Sequence, residues 1–375
     1  MDFSFTEEQL MLKDSIARYL VKDYSFDARK KILQSEKGYS LIHWQKFADL
    51  GWLSMAFLEE DEGLGGSATD IIALMEELGK GLVIEPLLAS VVLAGGIVAR
   101  AGNPEQKQHI LTPLMAGDMQ LALGFTEPGS RYELSNVNTT AGKGQAGYSI
   151  SGVKTVVLNG DVADKLIVTA RTSGAGSDCN GISLFLVDRG AEGLSVNGYD
   201  TVDGFRAAEI QLDSVHVPFS SLLGQEGEGL NSLRFGVDRA TLAICAEAVG
   251  AMDVAFKKTV EYTKIRKQFG VSISTFQALQ HRMVDMFVEL EQAKSIVLMA
   301  AMKSDASGGV DSRAISAAKS RVGKAARKIS QEAVQLHGGI GVTEASEISH
   351  FFKRLTTIQY MFGSTDWHTQ RFANL

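Results

Sequence analysis

Cysteine is almost absent from this chain: Cys179 and Cys245 are the only two in 375 residues, far apart and without metal-ligand spacing. That excludes a disulfide framework and a thiolate zinc site, and it leaves two reduced thiols. Basic residues are in deficit, 37 Lys and Arg against 44 Asp and Glu, for a net charge of −7. No basic stripe exists to release phosphate counterions, which excludes a nucleic-acid partner. An anionic membrane surface is disfavoured for the same reason. Long apolar runs are missing too, since the longest, Pro86 to Ala99, is too short to span a bilayer. The opening Met1-Asp-Phe-Ser-Phe-Thr-Glu-Glu is acidic and lacks the charged-then-apolar order of a signal peptide. Neither a solenoid-type repeat nor a low-complexity tract is evident. These absences predict a soluble, cytoplasmic protein with no metal, no nucleic acid and no membrane contact.

What remains is ordinary globular material, 45% apolar and 22% charged, with enough chain for two or three domains. Residues up to about 118 read as helices. Thr6-Glu-Glu-Gln9 is a helix start, followed by Leu10, Leu12, Ile16 and Leu20 at roughly helical spacing. Further helices fit Trp44–Leu50, Thr69–Leu78 and Leu87–Ala101, with Glu62-Gly-Leu-Gly-Gly66 as a loop. Then the texture changes. Tyr148-Ser-Ile-Ser-Gly, Thr155-Val-Val-Leu, Leu166-Ile-Val-Thr-Ala and Ile182-Ser-Leu-Phe-Leu-Val are short β-branched runs separated by Gly, Asn and Asp. After Gly224-Gln-Glu-Gly-Glu-Gly229, helical patterns return near 230–265, 275–306, 311–337 and 345–359. The predicted fold is α+β and mostly α: an N-terminal helical domain (1–118), a central antiparallel β-domain (119–222) and a C-terminal four-helix bundle (223–375).

Three motifs carry chemistry. Tyr262-Thr-Lys-Ile-Arg-Lys-Gln-Phe-Gly270 places Arg266, Gln268 and Phe269 at the end of a helix that Gly270 is expected to stop. Arg supplies fixed phosphate-matching donors, Gln supplies donor and acceptor, and Phe supplies a flat apolar face, a set that suits a dinucleotide. A basic turn after a helix is more often just a solvated cap. Its companions are Phe125-Thr126-Glu-Pro-Gly129 and Gln335-Leu-His-Gly-Gly-Ile-Gly341. Glycines in the latter let a backbone approach a bound dinucleotide, although no strand precedes them as a Rossmann fingerprint would need. His337 reads equally as a ligand contact or as a helix end.

The three motifs in this order resemble the acyl-CoA dehydrogenase family of flavoenzymes, from Phe5-Thr-Glu-Glu-Gln9 to the C-terminus. The resemblance implies FAD as cofactor, with Phe125 and Thr126 against the flavin ring and Gln335, Gly338 and Gly339 near the dinucleotide. It implies that Arg266, Gln268, Phe269 and Gln277 reach FAD held by a neighbouring subunit, hence an obligate oligomer. An acyl-CoA substrate and an electron-transfer flavoprotein as electron acceptor are implied as well.

The chain departs from the family pattern at three places. Lys154-Thr-Val-Val-Leu-Asn159 has Val156 and Leu158 where the family has a ring-shielding Trp and a ring-bonding Thr. Gly129-Ser-Arg-Tyr-Glu133 replaces a turn of small residues, leaving Arg131 to pair with a phosphate or acidic substrate tail, or to lie exposed. Third, Tyr360-Met-Phe-Gly-Ser-Thr365 puts Phe362 where the family carries its catalytic Glu. Phe362 cannot accept a proton, although its backbone N–H can still donate to a thioester oxygen. Asp366 is a fallback. Some members carry the base in a Leu-Glu-Arg triplet on the long helix, and here that triplet is Val237-Asp238-Arg239. Asp238 is a candidate base and Arg239 a candidate substrate residue; the alternative is an Asp–Arg pair at the helix start.

This combination is most like the small subunit of a heteromeric, pimeloyl-CoA dehydrogenase-like enzyme, in which a paralogous subunit supplies the base. Two other readings stand beside it: a self-sufficient homotetramer using Asp238, and a non-redox scaffold or non-oxidative acyl-CoA flavoprotein.

Overall fold

Thr6 and Gln9 open the first helix by satisfying each other's backbone donors. Thr6 Oγ1 accepts from Gln9 N at 3.2 Å, and Gln9 Oε1 accepts from Thr6 N at 3.0 Å. The structure, a computed structural model, describes residues 5–375; Met1–Ser4, part of the stretch read as lacking a leader, lie outside the described residues. Helix α1 runs Glu7–Asp23. Ile16 and Leu20 are buried as expected, but Leu10 is exposed. The inward stripe instead starts at Gln9, which lies seven residues before Ile16 and therefore on its face, and whose Nε2 donates to Asp70 at 2.8 Å.

Helices α2 (Phe26–Leu33), α3 (Leu41–Asp49) and α4 (Ala68–Lys80) follow, then a π-helical segment Leu87–Gly95, α5 (Gly96–Ala101) and α6 (Pro104–Met115). The expected single helix Leu87–Ala101 is thus two differently wound pieces. Every residue from Leu87 to Gly95 is buried. With no solvent face to impose a 3.6-residue period, packing decides the winding.

Eight strands come next: β1 (Leu121–Gly124), β2 (Thr140–Lys143), β3 (Gly147–Leu158), β4 (Lys165–Arg171), β5 (Ile182–Asp188), β6 (Leu194–Asp200), β7 (Arg206–Pro218) and β8 (Leu222–Leu223). Their order is β6-β7-β3-β2-β4-β5-β8, around a core that includes Ile150, Val157, Leu166, Val168, Phe185 and Ile210. Two runs read separately, at 148–152 and 155–158, are the single strand β3. The sheet is mostly antiparallel, with two corrections: β1 lies parallel to β4, with Leu121 opposite Lys165, and β2 meets β4 in parallel, with Thr140 opposite Arg171. The long connection from β1 to β2 frees β1 from hairpin geometry.

The C-terminal helices are α7 (Gly229–Ile265), α8 (Gln277–Ala306), α9 (Ser312–His337) and α10 (Glu347–Tyr360), each within two residues of its expected position, plus an unanticipated α11 (Thr365–Asn374). The order of helices, sheet and helices is the one the sequence predicts.

By packing, the chain divides into two compact units. One comprises the segments up to Ile32, Ser67–Ile84 and Thr241–Leu375; the other comprises Leu33–Gly66 and Glu85–Ala240. Within the first, α4 and α7 meet backbone to backbone. A Cβ at Gly79 would lie 2.1 Å from the Glu247 carbonyl oxygen, and one at Gly250 would lie 1.8 Å from that of Glu76. Arg354 on α10 locks onto the same stretch of α7, donating from Nε at 2.5 Å and Nη2 at 2.9 Å to the two carboxylate oxygens of Glu247. Among the described residues no helix is long and apolar enough to cross a membrane, and no group of three His, Cys, Asp or Glu side chains could hold a metal.

The glycine contacts reverse an ordinary rule. Gly→Ala inside a helix normally adds about 1 kcal/mol of stability. Gly250→Ala is expected instead to cost about 3 kcal/mol, because the new Cβ meets a backbone oxygen that cannot swing away. Urea titration of the variant against wild type measures this difference.

Candidate functional site

The turn after β1 is built on a charge. Glu127 is buried and accepts from Asn138 N at 2.7 Å, Thr139 N at 3.1 Å and Lys154 Nζ at 2.6 Å. Lys154, wholly buried in β3, also donates to Thr169 Oγ1 at 2.8 Å. Gly124 gives it passage, since a Cβ there would sit 3.1 Å from Lys154 Cγ. Burial brings the Lys154 pKa down to about 8 against the pull of Glu127. Burial also works against the Glu127 carboxylate, but the Lys154 ammonium and the hydrogen bonds from Thr139 and Asn138 hold it below the usual range. The turn closes when Ser130 N donates to Glu127 O at 3.1 Å, with Gly129 at φ +82° as a type II turn requires.

This anchor fixes Phe125 and Thr126. Thr126 O accepts from Thr155 N at 2.8 Å, where β3 bulges between Lys154 and Val157. The bulge forces Val156, a β-branched residue, to φ +53° and leaves it 53% exposed. Among the described residues, neither the N–H nor the hydroxyl of Thr126 has a protein partner. Arg131 is exposed at φ +50°, and its guanidinium makes no hydrogen bond or ion pair among the described residues.

In the same unit, Asp238 is only 2% exposed and has partners inside the fold. Arg239 Nη2 donates to Ala56 O, and the lack of a side chain at Gly96 leaves room for Nη1. Burial pulls the Arg239 pKa down to about 10. Arg239 forms no ion pair among the described residues, so the Asp–Arg pair read as an alternative does not form. Neighbouring residues on a helix face different directions.

In the other unit, the Arg266–Gly270 run needs correcting. The helix stops at Ile265, and Gly270 is no helix cap. Lys267–Gln268 pairs antiparallel with Val271–Ser272, and Phe269 (φ +53°) and Gly270 (φ +82°) are both left-handed, the pattern of a type I′ hairpin turn. Phe269 stands at the tip, 91% exposed, with its ring edge-on to Phe276 at 6.2 Å. Gln277 starts α8 one residue later. Tyr262 stacks on His337 at 4.3 Å, bringing the end of α7 beside the glycine turn that follows α9. His337 Nδ1 donates to Ala333 O at 2.8 Å, and burial lowers its pKa. That bond ties the ring to the last turn of α9.

Do these groups fit FAD? The side chains of Arg266, Gln268, Gln277 and Gln335 make no hydrogen bond among the described residues. In the same unit, a Cβ at Gly270, Gly338 or Gly339 would meet nothing within 4 Å. Free donors, amides of both polarities and bare glycine backbone match the pyrophosphate and ring edges of a flavin dinucleotide. They fit. Phe362 lies in the α10–α11 turn at φ +57°, and Asp366 is exposed in the first turn of α11. Lys154 escaped the site reading; a Lys in a strand that runs through the core of a sheet was the available signal.

Sequence models of the acyl-CoA dehydrogenase N-terminal, middle and C-terminal domains match residues 6–118, 122–215 and 227–374. A probable acyl-CoA dehydrogenase of Bacillus subtilis is 33% identical over 91% of this chain and 90% of its own. A short-chain-specific acyl-CoA dehydrogenase of Clostridium acetobutylicum is 30% identical over 98% and 97%. A subunit of the caffeyl-CoA reductase–Etf complex of Acetobacterium woodii is 27% identical over 93% of each. Among solved structures, PigA with FAD and proline superposes with TM-score 0.92 at 27% identity, covering 100% of this chain and 98% of that one. The ChsE4–ChsE5 complex of Mycobacterium tuberculosis gives 0.89 at 25% identity, covering 100% and 98%.

Lys154→Met strands a buried carboxylate and is expected to cost about 3–5 kcal/mol. Glu127 has a folded pKa below its ordinary 4.5, so its stabilising contribution is full above that pH and is lost as pH falls through the lower folded value. The stability gap between wild type and Glu127→Gln should therefore be wide at neutral pH and narrow below pH 4.5, as read by denaturant titration across pH.

Proposed function

Because the chain belongs to the acyl-CoA dehydrogenase family, whose members are FAD-dependent oxidoreductases, we propose that it works as one subunit of a heteromeric acyl-CoA dehydrogenase. The reaction is α,β-desaturation of an acyl-CoA thioester, with electrons passing to an electron-transfer flavoprotein and a paralogous subunit supplying the proton acceptor. The segments 1–118, 119–222 and 223–375 are its functional domains.

One observation carries the reading. By its resemblance to the family, the chain has Phe362 where the usual Glu stands, and a phenyl ring accepts no proton. The α-proton of a thioester is too weakly acidic to leave without a positioned carboxylate. Two relatives support assembly with other chains: one is named as a subunit of an Etf complex, and one similar structure is a complex of two differently named chains.

FAD, when bound, would supply the hydride acceptor for the β-carbon. The chain's own work is to hold and exclude. The free Thr126 N–H and hydroxyl donate to the ring edge, while Phe125 walls it. Arg266 pairs with the pyrophosphate of FAD held by the neighbouring subunit, and the exposed Phe269 ring covers apolar surface there. Gln268, Gln277 and Gln335 take the remaining polar edges, with Gly338 and Gly339 letting the backbone come close. Arg131 and Arg239 face acidic groups of the acyl-CoA.

The self-sufficient reading rests on Asp238, a buried carboxylate in the triplet where some relatives place a Glu. Its side chain is one methylene shorter, about 1.5 Å of reach. Its partners inside the fold favour a structural role.

Arg266→Ala should lower flavin retention more than tenfold, because a charge-assisted phosphate bond contributes about 1.5–3 kcal/mol. Flavin absorbance after gel filtration measures the loss. For the base, chain and paralogue are co-expressed and assayed with dye across acyl-CoAs. Asp238→Asn should then cost little, while Glu→Gln in the paralogue should cut turnover by about 10²–10⁴. Full turnover by the single chain, lost in Asp238→Asn, would instead favour a self-sufficient enzyme with Asp238 as base.

A further inference from the structure

One face of α9 is devoted to the turn that carries Phe362. Lys319, 1% exposed, donates from Nζ to Ile358 O at 2.8 Å, Gln359 O at 3.3 Å and Gly363 O at 2.9 Å. These carbonyls close the C-terminal end of α10 and reach past Phe362 to the residue after it. One turn along α9, Gly323 leaves room for Thr365, whose Oγ1 would lie 2.2 Å from a Cβ there. Ser320 Oγ bonds Thr369 Oγ1 at 2.7 Å, completing a seam from α9 to α11.

The turn is gripped from its other end by His368, fully buried in α11. Burial, with Lys319 nearby, drives its pKa down to about 3, so the ring is neutral and Nε2–H donates to Phe362 O at 3.1 Å. Nδ1 has no partner among the described residues. Gly363, at φ +127°, must be glycine, since a Cβ there would come 2.6 Å from His368 Nε2. Phe362 is thereby held in the left-handed region, which a bulky residue seldom enters and which surrounding structure must over-determine. Two carbonyls flanking the turn, those of Phe362 and Gly363, are both taken. The Phe362 N–H has no partner among the described residues. The turn is rigidly held, yet this backbone N–H is left free.

We propose that Lys319 and His368 are positioning residues, whose bonds to the carbonyls of residues 358–363 aim the Phe362 N–H at the thioester oxygen of the acyl-CoA. This rests on the reading of the 360–365 segment as part of the thioester site. The side chain at 362 is no base, while Lys319 and His368 fix the backbone that carries it. This chain thus polarises the thioester even where another subunit removes the proton. An aimed N–H at a developing oxyanion is worth most when it needs no reorganisation.

The test uses the flavin-loaded protein, with its co-purified partner if one is present, and crotonyl-CoA isotope-labelled at the thioester carbonyl, which oxidised flavin cannot desaturate further. The readout is the infrared shift of the bound carbonyl. Wild type should show a shift to lower frequency. Lys319→Met and His368→Leu should each at least halve it and weaken binding about tenfold with unchanged flavin content, the loss expected of one hydrogen bond. His368→Gln, whose amide can donate in place of Nε2–H, should retain the shift. A purely structural role would leave the carbonyl frequency unmoved in every folded variant. Should Lys319→Met fail to fold, His368→Leu against His368→Gln gives the same comparison. A full shift in both Lys319→Met and His368→Leu would overturn the positioning role alone. No shift in wild type would overturn the thioester reading and the proposal with it.

Discussion

A lysine ammonium with no water around it needs an anion, and the shape of the turn after β1 follows from where that anion sits. Lys154 reaches beneath Gly124 to Glu127, and Glu127 in turn gathers the N–H groups of Asn138 and Thr139. The pair therefore joins three stretches of chain: the turn, β3 and the approach to β2. Two ions taken out of water repay their desolvation only if the remaining lone pairs and protons are also satisfied. Here Thr169 takes a further Lys154 proton, and the two N–H groups take the carboxylate. Thr126 is the neighbour of Glu127 in sequence, so the backbone that carries its N–H and hydroxyl is held by this buried charge pair.

A different constraint operates in the other unit, where backbone meets backbone. Gly79 and Gly250 admit carbonyl oxygens at distances no side chain tolerates. Arg354 then clamps Glu247, three residues from Gly250 on the same helix. Gly323 on α9 makes room instead for a side chain, the Thr365 hydroxyl of α11. In each case the residue that matters is defined by what it lacks, while the neighbouring polar bond supplies direction. Close approach sets the spacing, and charge sets the register.

Long-range order was legible in the sequence where one signal repeated many times. The C-terminal helices carry several turns of apolar periodicity, and their ends fell within two residues. Helix α6 had a readable start as well, Asn103-Pro-Glu-Gln106 with both halves of a capping box, but Pro113 in its last turn obscured the pattern. Single-residue geometry was not legible. Phe269-Gly270 reads as the end of a helix or as a hairpin turn, and only the pairing of Lys267–Gln268 with Val271–Ser272 decides. Val156 belongs to a residue type that avoids positive φ, so its bulge could be found only from the register of β3 against β7. Of the candidate site, the residue types were visible, because a dinucleotide demands Arg, amides and glycine. The supporting residues Glu127, Lys319 and His368 were not, since each acts through backbone groups that composition does not reveal.

The unit built around α4 and α7 is discontinuous in sequence: it breaks off after Ile84 and resumes only at Thr241. A ribosome adding about 5–20 residues per second needs roughly 10–30 seconds to cover that interval. Throughout it, α4 has emerged without α7 and α8, the helices it packs against. The segment Glu85–Ala240, by contrast, brings most of its own unit out as one stretch. Vectorial synthesis therefore sets an order of assembly: the sheet can close first, while the N-terminal helices wait for a chaperone's cover or for the C-terminal third to arrive.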